Sequence, residues 1–202
     1  MSNRRLLELG HDARGAVFVE FLIAFLPVFT FFLCLVQVGL LFAVRLVTEH
    51  AATNGARAAA VIIGDDPARY GNEATNKIEP GKGKRFDAVY RAVLLSVAPF
   101  VLDGTIHGLT VEFPPPDQPE GKVGSGAVTY TPMDHTTVSK VRVRVTVDAN
   151  CKIGFGSFIA CEYTWARLGV HPPHFPGINP YPTHSIVAEG MYPYQGASYA
   201  YP

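Results

Sequence analysis

The sequence predicts an α+β protein: a long N-terminal helix that includes a transmembrane segment continues into a small domain with a short helix and an antiparallel sheet. Three patterns predict this fold. Residues 21–44 carry no formal charge. Residues 85–100 place apolar side chains at intervals of three and four, as in a helix packed on one face, and residues 138–148 alternate with the period of two that is typical of a strand.

Length and charge limit the classes of protein. A chain of 202 residues is long enough for one compact domain plus an anchor. Its 17 basic and 17 acidic side chains cancel, so no overall positive field attracts nucleic acid. We therefore expect no nucleic-acid partner.

The apolar run from Phe21 to Val44 predicts an uncleaved membrane anchor. Its 24 residues include Gln37 as the only strongly polar side chain, and a helix of that length measures about 36 Å, against about 30 Å for a hydrocarbon core. A cleaved signal has a shorter apolar region of about 7–15 residues. The helix is predicted over 16–63, with a weak point at Pro27 because proline interrupts the hydrogen-bond ladder.

The remaining boundaries follow from composition. Residues 1–15 are a short charged leader, and residues 64–202 are predicted to form an extracytoplasmic α+β domain. Within it, a polar connection over 64–84 precedes a helix that Pro99 is predicted to end. Alternating Val and Lys, Arg or Thr along 138–148 predicts a strand that is wet on one face. The predicted strands are 105–113, 127–132, 138–148, 158–165 and 184–192.

Charges and cysteines indicate the orientation. Three arginines precede the apolar run and two follow it within the counted window, which favours a cytoplasmic N-terminus. Cys151 and Cys161 lie ten residues apart, close enough for a disulfide, which would place the domain outside the cytoplasm. The alternative is two unrelated buried thiols.

The outer half of the long helix carries small side chains along one side. They would let another helix or a sheet approach closely. The alternative is that they pack only against the strands of their own domain. These residues are Ala51, Ala52, Gly55, Ala58 and Ala59.

No set of residues predicts catalysis, a cofactor or a metal. His171 and His174 suggest a metal pair, but prolines separate them and no carboxylate or cysteine stands at ligand spacing. The glycines match neither a phosphate loop nor a dinucleotide fingerprint. We expect no enzymatic activity, and the alternative is an anchored enzyme that uses the loop histidines.

The stretch RGAVFVEF, residues 14–21, combines a glycine with a carboxylate five residues later. Gly15, Ala16 and Glu20 in this order, before the apolar run, resemble a type IV prepilin leader. GAVFVEFLIAFLP, the run to Val44, and ARAAAV after it are similar to the N-terminal region of TadE-like minor pseudopilins of the tight-adherence (Tad) pilus and secretion machinery. Gln37 departs from this pattern, because many relatives have a second acidic residue there.

The resemblance implies that a prepilin peptidase cuts after Gly15 and that Ala16 becomes the new N-terminus. Glu20 would then pair with the terminal amine of an adjacent subunit, an ion pair that satisfies both groups in low dielectric. Otherwise Glu20 only marks the interfacial start of the span. The implied partners are other pilins or pseudopilins, the Tad inner-membrane assembly platform, the peptidase and membrane lipid.

The resemblance also implies a location. The chain would lie in the bacterial inner membrane with a cytoplasmic N-terminus and a periplasmic domain, or in a pilus filament. The alternative function is a permanently anchored periplasmic binding or sensory domain.

Overall fold

The predicted α+β class is confirmed. A computed structural model of the chain describes residues 13–115, 128–129, 140–153, 161 and 183–194. A long helix comes first, and a shorter helix and a three-stranded antiparallel sheet follow it. The helices are α1, Ala13–Ile62, and α2, Lys84–Leu102; the strands are β1, Lys77–Ile78, β2, Ile106–Glu112, β3, Val128–Thr129, β4, Lys140–Asn150, and β5, Thr183–Pro193.

Helix α1 is continuous over its 50 residues and passes through Pro27. Its segment Val17–Ile62 is long and apolar enough to cross a membrane, and the most apolar part of it is not buried by the rest of the chain. The described residues contain one such helix. It is compatible with a single-pass membrane anchor.

Helix α2 extends past the predicted end at Pro99, so that prediction is wrong. Pro99 lies in the last turn, where the missing N–H removes only the bond to the carbonyl of Leu95. Leu95 is 76% exposed, so the freed carbonyl belongs to a residue on the exposed side of α2. The N–H of Asp103 donates to the carbonyl of Pro99 at 3.2 Å, and the helix therefore continues to Leu102.

The main sheet has the order β2-β4-β5, and all its strands are antiparallel. β4 pairs with β5 along eleven residues, from Lys140 opposite Pro193 to Asn150 opposite Thr183. The predicted strands 105–113, 138–148 and 184–192 correspond to these three strands. The predicted strand 158–165 lies outside the described residues except for Cys161.

The polar connection predicted over 64–84 contains a short helix and a strand that were not predicted. Pro67–Tyr70 form a 3-10 helix that the Asp66 carboxylate caps by accepting a hydrogen bond from the N–H of Ala68 at 2.9 Å. β1 pairs with β3 in a separate two-stranded sheet. β3 is the described part of the predicted strand 127–132.

The core lies between the sheet and the two helices. On β4 the valines at alternate positions are fully buried, as are the residues of α1 and α2 that meet them. The opposite face of β4 was predicted to be wet; Lys140 on that face is exposed and Thr146 is half-buried, but the prediction is wrong at Arg142 and Arg144. Arg142 and Arg144 on that face are 5% and 3% exposed, because glutamates of the neighbouring strands pair with them.

Arg85 joins the end of α1 to the start of α2. Its fully buried guanidinium donates to the main-chain carbonyl of Ile62 and, at 2.9 Å, to that of Asp65. Carbonyls at the C-terminus of a helix have no partner within the helix and carry partial negative charge, so a buried cation stabilises them. The Arg85 guanidinium also lies 4.7 Å from the centre of the Tyr70 ring.

Candidate functional site on the anchor helix

Glu20 is exposed on α1 among exposed apolar side chains. It lies one helical turn from the start of the segment whose side chains are described, and Val17, Val19 and Phe21 around it are more than half exposed. Among the described residues Glu20 makes no ion pair or hydrogen bond. A carboxylate in the apolar part of a membrane is costly unless it is paired.

Gly15 and Ala16, the predicted processing residues, lie in the first turns of α1. The backbone is helical from Ala13 onward, so the bond between Gly15 and Ala16 is part of the helix. Ala16 and Glu20 are four residues apart, which places them about one turn and about 6 Å apart along the helix axis.

An aromatic ladder, formed by Phe21, Phe25 and Phe29, runs along one side of the helix beyond Glu20. Consecutive rings stack at 5.4 Å between centroids, with interplanar angles of 15° and 16°. Pro27, also a predicted packing residue, is exposed between the last two rings in sequence. The helix therefore presents a stack of rings and a proline to its surroundings.

The small residues of the outer helix meet their own domain. A Cβ added at Gly55 would come within 2.6 Å of the Val93 Cγ2 atom and 3.2 Å of the Val143 Cγ1 atom. Glycine is therefore required for α2 and β4 to approach α1 this closely. Ala51, Ala52 and Ala59 are fully buried, and Ala58 is half-buried.

Gly190 allows β5 to approach the main chain of α1 closely. A Cβ there would lie 2.3 Å from the main-chain oxygen of Ala52. Gly190 was not among the predicted packing residues. The signal was available, because an isolated glycine inside a strand pattern indicates a close backbone approach.

Gln37 joins the anchor to the domain. It is 1% exposed, and its Oε1 atom accepts a hydrogen bond from the main-chain N–H of Ile153 at 3.2 Å. From the sequence, Gln37 stood out as the polar exception in the apolar run and as a departure from the TadE-like pattern, but no contact was predicted for it. A buried polar side chain needs a partner, and the partner here is the segment that follows β4.

The predicted disulfide between Cys151 and Cys161 is confirmed. Both residues are fully buried, and the bond closes a loop that begins directly after β4. Ile153 lies inside this loop, so the disulfide constrains the same segment that contacts Gln37. The third cysteine, Cys34, is a half-buried free thiol on α1.

Arg57 is the arginine of the ARAAAV segment and lies on the outer part of α1. Its guanidinium carbon is 5.8 Å from the centre of the Tyr192 ring on β5. A cation at this distance from an aromatic ring is attracted to it. Arg57 therefore adds one contact between α1 and the C-terminal end of β5.

A charged cluster on the sheet consists of Arg142, Arg144, Glu189 and Glu112. The two arginines donate to opposite oxygens of Glu189, at 2.8 Å from Arg142 Nε and 2.6 Å from Arg144 Nε. Arg144 also lies 3.9 Å from Glu112. Burial raises the pKa of Glu189, and hydrogen bonds from Arg142 and Arg144 lower it. The lowering effect is the larger one, so the pKa lies below its usual value.

The remaining polar groups give no reason to assign catalysis or metal binding. Among the described residues there is no group of three or more His, Cys, Asp or Glu side chains that could hold a metal. His171 and His174, the candidate metal pair, lie outside those residues.

A groove between α1 and β5 has a mainly apolar helix side and is lined by Val38, Leu41, Phe42, Arg45 and residues 184–187.

These features define a class of protein: a small α+β domain packed against the outer part of an apolar helix that carries an exposed carboxylate near its start. The family model described as TadE-like protein matches residues 15–57. The predicted resemblance is therefore confirmed, and the match supports a protein associated with the Tad pilus. No curated protein and no solved structure matches the chain.

Proposed function

We propose that this chain is a membrane-anchored TadE-like pseudopilin that a prepilin peptidase cuts after Gly15 and that acts in the assembly of a Tad-type pilus or secretion filament. It acts by assembly and not by catalysis. One observation carries the proposal: the exposed carboxylate of Glu20 on the apolar helix makes no ion pair within the described part of its own chain.

Cleavage would supply the missing partner. It frees a cationic α-amino group at Ala16, and a neighbouring subunit that brings this amine to Glu20 satisfies both charges where water is scarce. The positive end of the helix dipole also favours a negative charge in the first turns. Pairing of this kind gives neighbouring subunits a defined register.

The disulfide of the domain favours a location outside the cytoplasm. The Cys151–Cys161 disulfide supports an oxidising compartment, since such bonds are rare in the cytoplasm. We therefore propose a cytoplasmic N-terminus and a periplasmic domain. Other pilins or pseudopilins and the Tad inner-membrane assembly platform are the proposed partners.

Two measurements test the proposal separately. The intact mass of the full chain, recovered from membranes that contain the cognate peptidase, should lack residues 1–15. A mature mass that still includes them contradicts the processing step.

The second measurement compares Glu20→Gln with Glu49→Gln in recovered filaments. Glu49 is an exposed glutamate on the same helix that already pairs with Arg45 at 3.1 Å, so it is a matched control. We expect Glu20→Gln to be inserted in the membrane but absent from filaments, and Glu49→Gln to be incorporated normally. Normal incorporation of Glu20→Gln would show that its carboxylate has no role in assembly.

A further inference from the structure

We propose that residues 17–36, and not 21–44, cross the hydrocarbon core of the bilayer, and that the base of the domain rests on the lipid headgroups. The base is defined here as Asp103, Lys152 and Ile153. The proposal requires only that α1 crosses a membrane, so it is independent of cleavage, of filament assembly and of orientation.

Gln37 is the first buried side chain along the described part of α1, and residues 38–43 beyond it are again exposed or half-buried. From Val17 to Val36 no side chain is buried, whereas Gln37, Val44 and Thr48 are at most 1% exposed. The 20 residues from Val17 to Val36, all of them exposed or half-buried, measure about 30 Å at about 1.5 Å per residue, which equals the thickness of a typical hydrocarbon core. The length of described helix before its first buried side chain is thus the length that a bilayer needs.

Backbone structure at the level of Gln37 sets the upper limit of the span. Gln37 contacts Ile153, which lies in a non-helical segment after β4. Irregular backbone exposed to lipid is not tolerated in hydrocarbon, because its polar groups would lose hydrogen bonds. If hydrocarbon reached Val44, this segment would be immersed by seven residues of helix, about 10 Å.

The polar groups of the base suit a headgroup layer. Lys152 is exposed, and its Nζ atom donates to the main-chain oxygen of Asp103 at 2.6 Å, which joins the turn after α2 to the segment after β4. An ammonium group with further donors can bind lipid phosphates at the same time. The headgroup region adds about 5–7 Å on each side of the hydrocarbon, which is enough to reach the base.

This placement has a consequence for Glu20. With hydrocarbon beginning at Val17, Glu20 lies three residues, or about 4.5 Å along the axis, below the opposite surface of the core. With a span of 21–44 it would lie outside the core. The shifted span therefore gives Glu20 a stronger requirement for a partner.

The test is a depth measurement on the full chain in phosphatidylcholine vesicles. In a Cys34→Ser background, environment-sensitive fluorophores are attached to single cysteines at Leu26→Cys or Phe32→Cys, positions with similar exposure of 54% and 57%. Leu26 lies near the middle of 17–36, and Phe32 lies near the middle of 21–44. We expect a nitroxide at the centre of the bilayer to reduce fluorescence more at Leu26→Cys; equal or greater loss at Phe32→Cys would overturn the shifted span.

A second pair of labels tests the contact with headgroups. Asp103→Cys marks the base, and Lys82→Cys, an exposed position in the turn before α2, marks the far end of the domain. We expect headgroup-attached nitroxides to reduce fluorescence at Asp103→Cys and not at Lys82→Cys. No loss at Asp103→Cys would show that the domain stands away from the lipid and would overturn that part of the proposal.

Discussion

The Oε1 atom of Gln37 accepts a hydrogen bond from the main-chain N–H of Ile153 at 3.2 Å, so a polar side chain of the anchor holds the disulfide-closed loop. Gln37→Leu should leave that N–H without its partner. A typical hydrogen bond contributes about 0.5–1.5 kcal/mol, so we expect faster hydrogen exchange at the Ile153 amide. Gln37→Glu, which keeps an acceptor oxygen, is the control, and unchanged exchange in Gln37→Leu would contradict the contact.

Gly190→Ala should destabilise the domain because its Cβ would lie 2.3 Å from the backbone oxygen of Ala52. Main-chain atoms of α1 cannot move aside as a flexible side chain can, and overpacking of this kind costs about 1–3 kcal/mol. The midpoint of thermal unfolding in detergent should fall. Gly39→Ala has no atom within 4 Å of the added Cβ and should not lower the midpoint; equal midpoints for the two variants would show that β5 is not packed this tightly.

Arg85→Ala should loosen the junction of α1 and α2. The substitution removes a buried cation that donates to carbonyls of Ile62 and Asp65. Each hydrogen bond to a charged group contributes about 1.5–3 kcal/mol, so the free energy of unfolding should fall by about 3 kcal/mol or more. Arg91→Ala, an exposed arginine of the same helix, should have little effect, and a similarly small effect of Arg85→Ala would contradict the capping role.

Glu189→Ala should be among the most destabilising changes in the sheet. It leaves Arg142 and Arg144, whose side chains are 6% and 3% exposed, without their shared carboxylate. Removal of one member of a buried ion pair costs about 3–5 kcal/mol. Chemical denaturation should show this loss, whereas Glu79→Ala, which removes a half-exposed partner of Lys77, should leave the midpoint unchanged.

Stability should also depend on pH through Glu189. The pKa of Glu189 is lowered in the folded state, so its contribution is present above the unfolded-state pKa and is lost as the pH falls through the folded-state pKa. We expect the unfolding midpoint of the natural chain to decrease in acid more steeply than that of Glu189→Gln. Parallel pH profiles would show that this carboxylate does not control acid stability.

Several features were predictable because they depend on short-range patterns. The length of the apolar run, the helical spacing over 85–100 and the alternation along 138–148 each reflect the geometry of one element. The disulfide was predictable as a pairing because only two cysteines lie outside the apolar run. The predicted end of α2 at Pro99 was wrong because a proline in the last turn of a helix removes only one hydrogen bond.

Other features depend on which elements meet, and the patterns do not contain that information. Lys, Arg and Thr alternating with valine on β4 predict a wet face, yet Arg142 and Arg144 are buried because β5 brings Glu189 between them. Gly190 and Ala52 are 138 positions apart in the sequence, so only the folded chain shows that one requires the other. Likewise, only the folded chain shows that Arg85 donates hydrogen bonds to carbonyls at the end of α1.

The sequence by itself determined that this protein has an apolar helix with a carboxylate five residues after Gly15, because charge and hydropathy along one segment do not depend on the rest of the chain. It also determined the resemblance to TadE-like proteins, which the family match over residues 15–57 confirms. Only the tertiary structure decided where along that helix the domain first buries a side chain. This position is Gln37. Its buried side-chain amide needs a hydrogen-bond partner, and the main chain of the loop after β4 supplies one.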